Sequence, residues 1–244
     1  MRLPIALAIG VLLFAAPAAA GSVMPPWAGG DGTVTPLEAR ASAIVSALAG
    51  RQSTVECVGP RGWASDGARL GFDPDALIAV VPWSSPGVPA GYALLSPYVC
   101  RLADRFVQNP HRRGEMLCPT HRQRHARCAG YGSVLEATET LAHEAMHLAG
   151  IRTESTAECF GMQLLPYAAW RLGASRAFAL EMARDYVAQY RRERRDAPTY
   201  WSSECRDGGS LDLLPDQQGW PLPADSFGLA AASPAALVRT AVAG

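Results

Sequence analysis

Lysine is absent from the chain: all 22 basic residues are arginine, a bias of composition from which no mechanism follows. Net charge is missing as well. The 22 basic side chains face 22 acidic ones, so no global field favours nucleic acid or a membrane surface. No internal repeat occurs, which sets aside solenoid architectures, and no glycine loop of the phosphate-cradling kind is present. After Ala16 no apolar run approaches the length that spans a bilayer.

What is there begins with Met1-Arg2, an apolar run from Leu3 to Ala16, and Ala18-Ala19-Ala20. A basic start, a short apolar core and a small-residue site form the pattern of a secretory signal peptide, here cleaved after Ala20. No cysteine follows that site, so a lipid anchor is not expected. The mature chain is expected to be secreted, to the exterior or the cell envelope, without a stable membrane anchor. Residues 21–34, rich in Gly and Pro, read as a flexible leader. Residues 35–223 suffice for one domain with a sizeable core, and the small, apolar residues 224–244 read as a poorly ordered tail.

The six cysteines are Cys57, Cys100, Cys118, Cys128, Cys159 and Cys205. An even number in an exported chain predicts disulfides, with the connectivity open. Proximity suggests Cys118 with Cys128 around a local loop. Cys159 with Cys205 would tie a C-terminal segment to the middle of the chain, leaving Cys57 with Cys100.

Thr35-Pro36-Leu37-Glu38 announces a helix, with an N-cap, a proline at the first position and a glutamate at the third; Gly50 stops it. Residues 52–58 and 91–95 read as strands, and Ala76 to Trp83 as a stronger one that pairs with the latter. Ser96-Pro97 starts a helix reaching Gln108. Two further helices are expected over 157–172, ending near Gly173, and over 175–194, whose terminal arginines suit a helix C-terminus. Met162, Tyr167 and Trp170 are expected in the core. Residues 197–223 are loop-rich. The predicted class is α+β, predominantly helical, with a small sheet.

Residues 109–132 form a basic insertion, with Arg112, Arg113, Arg122, Arg124 and Arg127 against Glu115. It contains Cys118-x-x-His121-x-x-x-His125-x-x-Cys128, four residues of metal-ligand type. The tight inner spacing and an oxidising compartment favour a disulfide-closed loop over a second metal site. Beside a cleft, such a loop would favour acidic substrates or anionic polymers; as a solvated surface it would do neither.

Chemistry concentrates in Thr140-Leu141-Ala142-His143-Glu144-Ala145-Met146-His147-Leu148-Ala149-Gly150. On a helix, four-residue spacing puts His143 and His147 on one face, about 5–6 Å apart at Cβ, so both imidazoles reach one cation. Glu144 can then reach a water at the open coordination position without being a ligand. Ser133-x-x-Glu136 reads as the capping box of this helix, Gly150 as its stop, and Leu135, Ala142, Ala145 and Ala149 as its apolar stripe. The competing reading is a core helix that happens to carry these three residues.

With its uncharged flanks, this window resembles the HExxH signature of the zincin metallopeptidases. Gly150 matches the glycine of the metzincin extension, but the third histidine of that extension falls on Thr153. Glu154-Ser155-Thr156-Ala157-Glu158 instead resembles the E-x-x-A-E motif of gluzincins, although gluzincins separate the two motifs more widely. The resemblance implies a zincin-like fold with a small sheet packed on the HExxH helix. It also implies Zn²⁺ held by His143, His147 and Glu154, with Glu144 as general base. Glu158 would orient a histidine or be the third ligand itself. The implied activity is hydrolysis of a peptide or protein substrate. An extended substrate would pair with an edge strand, either 76–83 or 91–95, and Tyr200 or Tyr131 would steady the oxyanion. The alternative is an exported binding or structural protein that keeps the metal site without turnover.

Overall fold

A computed structural model describes residues 33–85, 87–108, 110, 129–193, 198–216, 219–221, 236 and 238. The expected signal peptide, nearly all of the leader, the Cys118–Cys128 pairing and the Cys/His cluster at 118–128 lie outside the described residues. Of residues 224–244, only Ala236 and Val238 are described, and Val238 is buried in the core.

Among the described residues are six helices, a three-stranded sheet and a two-stranded hairpin. Helix α1 (Pro36–Ala49) opens with the expected capping box. Thr35 Oγ1 accepts from the Glu38 amide at 3.2 Å, and the Glu38 carboxylate accepts from the Thr35 amide at 2.8 Å. The other Glu38 oxygen accepts from the Cys57 amide at 2.8 Å, so one buried side chain caps the helix and joins it to strand β1 (Thr54–Cys57). Helix α2 (Pro60–Leu70) follows.

The long strand expected over 76–83 is broken. Strand β2 is only Ala79–Val80, and β3 (Trp83–Ser85) pairs antiparallel with β4 (Val88–Pro89) in a separate hairpin. Pro82 separates them: it has no amide to offer a ladder. Strand β5 (Tyr92–Leu95) is the centre of the three-stranded sheet, parallel to β1 and antiparallel to β2. This removes 91–95 as a candidate edge and leaves β2 as one.

Helix α3 (Pro97–Gln108) leads to the central helix α4 (Ala129–Leu148). Helix α4 begins four residues before Ser133, so the expected capping box lies inside it and residues 129–132 belong to a helix. From Ala137 to Leu148 it is buried on every side, by α1, α3, the sheet and the two helices that follow. A helix buried all round has no single stripe; Leu135, Ala142 and Ala145 are in the core, whereas Ala149, expected with them, is exposed. Burial of each large apolar side chain contributes about 1.5–3 kcal/mol.

The end of α4 is set by Gly150 at φ +100°. Its amide donates to the His147 carbonyl at 2.9 Å and the Ile151 amide to the Met146 carbonyl at 3.0 Å, the paired bonds of a Schellman turn. The chain reverses there into α5 (Glu154–Leu172), which packs along α4, and then into α6 (Arg176–Glu193). Helix α5 starts three residues earlier than expected. Disulfides join Cys57 to Cys100 and Cys159 to Cys205, the two pairings anticipated within the described residues. Their presence fits an oxidising compartment. No described helix is long and apolar enough to cross a membrane.

Candidate metal centre

The Schellman turn sends the chain back along α4, bringing Glu154, seven residues beyond His147, level with both histidines. Glu154 Oε2 lies 3.1 Å from His143 Nε2 and 3.3 Å from His147 Nε2, and the two Nε2 atoms are 3.0 Å apart. Both histidines are buried, and Glu154 is about one-third exposed.

The other nitrogens decide what converges. His143 Nδ1 faces a carboxylate oxygen, Glu158 Oε2, at 3.2 Å, and His147 Nδ1 faces the Ile151 carbonyl at 2.7 Å. Both partners are acceptors, so each Nδ1 carries the proton and donates it. In the neutral imidazoles both Nε2 atoms then present lone pairs, and these converge with a carboxylate oxygen. Three acceptors this close repel unless a positive charge lies among them. Tetrahedral zinc ligands at about 2.0–2.1 Å stand about 3.3–3.4 Å apart, a spacing slightly wider than the one observed. The group can hold a metal ion.

With only the protein's own groups to respond, protons supply the positive charge. Burial opposes charge on His143, but bonds to Glu154 and Glu158 overcome it and hold the imidazolium well above the ordinary histidine range. His147 is raised for the same reasons, burial being outweighed by Glu154. Glu154 is itself opposed by burial, yet the two histidines hold it far below the usual carboxylate range. Glu144 behaves oppositely: burial raises it, and the positive histidines only partly compensate.

Glu144 is 5 % exposed, and its Oε2 has no hydrogen-bond partner among the described residues. A buried carboxylate oxygen left this way is costly. Here it borders a cleft of about 370 Å³, within the range of small-ligand sites. Ala76 to Val81 and Trp83 line the cleft. The histidines, Glu144, Glu154, Thr140, Arg152 and Tyr200 also line it.

Glu158 sits behind His143, away from the converging Nε2 atoms. Its Oε1 accepts from the Tyr186 hydroxyl at 2.8 Å, and the same hydroxyl lies 3.2 Å from Glu139 Oε2. Glu139, His143 and Glu158 form a second group with potential ligand atoms close together. Neither Glu139 nor Tyr186 was expected at the site. Glu139 was detectable, four residues before His143 on the same helix face; Tyr186 comes from a separate helix and has no local signal. Of the two tyrosines considered, Tyr200 lines the cleft, with its ring centroid 6.2 Å from that of His143. Tyr131 is elsewhere, stacked on Phe178 and donating to Asp185 at 2.8 Å. Comparison of the chain with protein-family models, curated proteins and solved structures finds no match.

Proposed function

We propose that this protein is an exported zinc metallohydrolase of the gluzincin kind, acting on peptide bonds. The observation that carries the reading is the meeting of three lone-pair donors, His143 Nε2, His147 Nε2 and Glu154 Oε2, beside the partnerless carboxylate oxygen of Glu144. Two imidazoles and a carboxylate are a donor set that suits zinc and leaves one coordination position open. His143, His147 and Glu154 would hold the ion. When bound there, zinc supplies Lewis acidity, polarising a carbonyl and acidifying a water.

The chain's own residues do the rest. Glu144 Oε2 takes the proton of the attacking water and delivers it to the leaving amine. Glu158, steadied by Tyr186, holds the proton of His143 on Nδ1, and the Ile151 carbonyl does the same for His147. The apolar wall around β2, an edge strand, offers an extended peptide backbone partners. Tyr200 is the tyrosine available to steady developing negative charge. The disulfides, together with the N-terminal pattern of Met1 to Ala20, support export.

The test combines elemental analysis with hydrolysis of a broad peptide library. One zinc per chain is expected, lost in Glu154→Ala and retained, with weaker binding, in Glu158→Ala. Glu144→Gln is expected to keep the zinc and lose hydrolysis by about a hundredfold or more. A folded protein without zinc would remove the metal-centre reading. Zinc without turnover of any library member would assign the chain to binding rather than catalysis.

A further inference from the structure

The acid–base chemistry above leaves Arg152 unused. The cleft-lining residues include five acids, Glu136, Glu139, Glu144, Glu154 and Glu158, and Arg152 is the one arginine among those described. Its backbone is tied to the metal centre on both sides: the preceding carbonyl, that of Ile151, receives the His147 Nδ1 proton at 2.7 Å, and Glu154 follows two residues later.

Its side chain is held as well. The guanidinium carbon stands 5.1 Å from the ring centroid of Trp83, another residue lining the cleft. A cation over an indole ring is held there by the ring's electrostatics, and a guanidinium has five N–H donors, enough to serve a further partner. No described carboxylate lies within ion-pair distance of Arg152, and the residue is exposed. Apart from the metal-binding group, the other charged residues described in the lining are acids, so an unpaired arginine gives a negative group a favourable place to sit away from the ion.

We propose that Arg152, held over the Trp83 ring, is a specificity-determining residue that binds a carboxylate of the substrate peptide. That carboxylate is either the peptide's C-terminus or an Asp or Glu side chain. The proposal rests on the reading of the cleft as a peptide-hydrolysing site.

Calorimetry with the zinc-equilibrated Glu144→Gln protein separates binding from turnover. Three peptides of one sequence frame serve as probes: neutral and amidated, neutral with a free C-terminus, and amidated with one added Glu. One of the two anionic peptides is expected to bind about tenfold more tightly than the neutral one, and which one identifies the source of the carboxylate. Arg152→Gln, added to Glu144→Gln, is expected to erase the preference, and Arg152→Lys to keep only part of it, lacking the bidentate fork. Equal behaviour of the three peptides, including no binding by any, overturns the proposal, as does a preference that survives Arg152→Gln. A carboxylate preference lost with Arg152→Gln, alongside no turnover by the unaltered protein, keeps this assignment and removes the hydrolytic one. Turnover without any carboxylate preference does the reverse.

Discussion

At Gly161 the two helices of the candidate metal centre approach so closely that a β-carbon would stand 2.8 Å from Glu139 Oε1 and 2.9 Å from the His143 backbone nitrogen. The backbone of a helix buried on every side cannot withdraw. Helix propensity alone would favour alanine there by about 1 kcal/mol. Gly161→Ala is nevertheless expected to destabilise the fold by about 1–3 kcal/mol, read from the urea midpoint of the metal-free protein; a stabilised variant would contradict the close approach. Tyr186→Phe is a second test at this scale. It keeps the ring and removes the hydroxyl that donates to Glu158, the carboxylate facing His143 Nδ1. Zinc affinity is expected to fall about tenfold in a competitive chelator titration, and unchanged affinity would show that Glu158 holds His143 unaided. His143, Glu144, His147, Glu154 and Glu158 were legible in the sequence because they fall on one helix and the first two turns of the next. Tyr186 and Arg152 were not. The contact that singles out each is with a residue distant in sequence, Glu158 for one and Trp83 for the other.

Segment 198–216 contains no helix or strand, yet it brings Tyr200 to the cleft because its neighbours fasten it. The fully buried Gln163 of α5 donates to the Leu211 carbonyl and accepts from the Leu213 amide, both at 2.8 Å. Tyr190 of α6 stacks on Trp201 at 5.0 Å, and its hydroxyl accepts from the Ser202 amide. The Cys159–Cys205 disulfide closes a loop over a separation of 46 residues. Replacing both cysteines with serine is expected to cost about 2–4 kcal/mol. Limited proteolysis should then cut within 198–216 before the helices; a protease-resistant segment would mean that Gln163 and Tyr190 suffice. Such docking leaves no periodic trace in the sequence, whereas local capping does, and the legibility of the elements divides along that line. Thr35-x-x-Glu38, Pro97 and Gly173 mark real helix boundaries. Ser133-x-x-Glu136 has the same spacing but lies inside a helix whose start is upstream, because that spacing fits a helix interior as well as an N-terminus. The apolar run 76–83 looked like one strand, and Pro82 divides it into two that belong to different sheets.

Over the whole molecule, the proposed ion would join the central helix to α5 across the Gly150 turn, so zinc and protons compete to stabilise the same fold. His143 and His147 are both raised in the absence of a cation. Their contribution to metal-free stability is therefore complete below the unfolded histidine value of about 6.5 and is lost as pH rises through the higher folded values. Glu144, raised by burial, adds to that loss by costing stability once pH exceeds the ordinary carboxylate range. Glu154 is held so far below that range that it stays ionised throughout and does not change the sign. Zinc requires the imidazoles without their Nε2 protons, so its contribution runs the other way and grows with pH. At a free zinc concentration about a thousandfold above Kd, binding adds about 4 kcal/mol, or roughly 10 °C in melting temperature for a chain of this size. The gap in melting temperature between zinc-loaded and chelator-treated protein is expected to reach that size near pH 8 and to shrink towards zero near about pH 5.5. Scanning calorimetry of both forms across this window is the check. A gap that stays constant with pH would mean that the stabilising ion does not bind through His143 and His147.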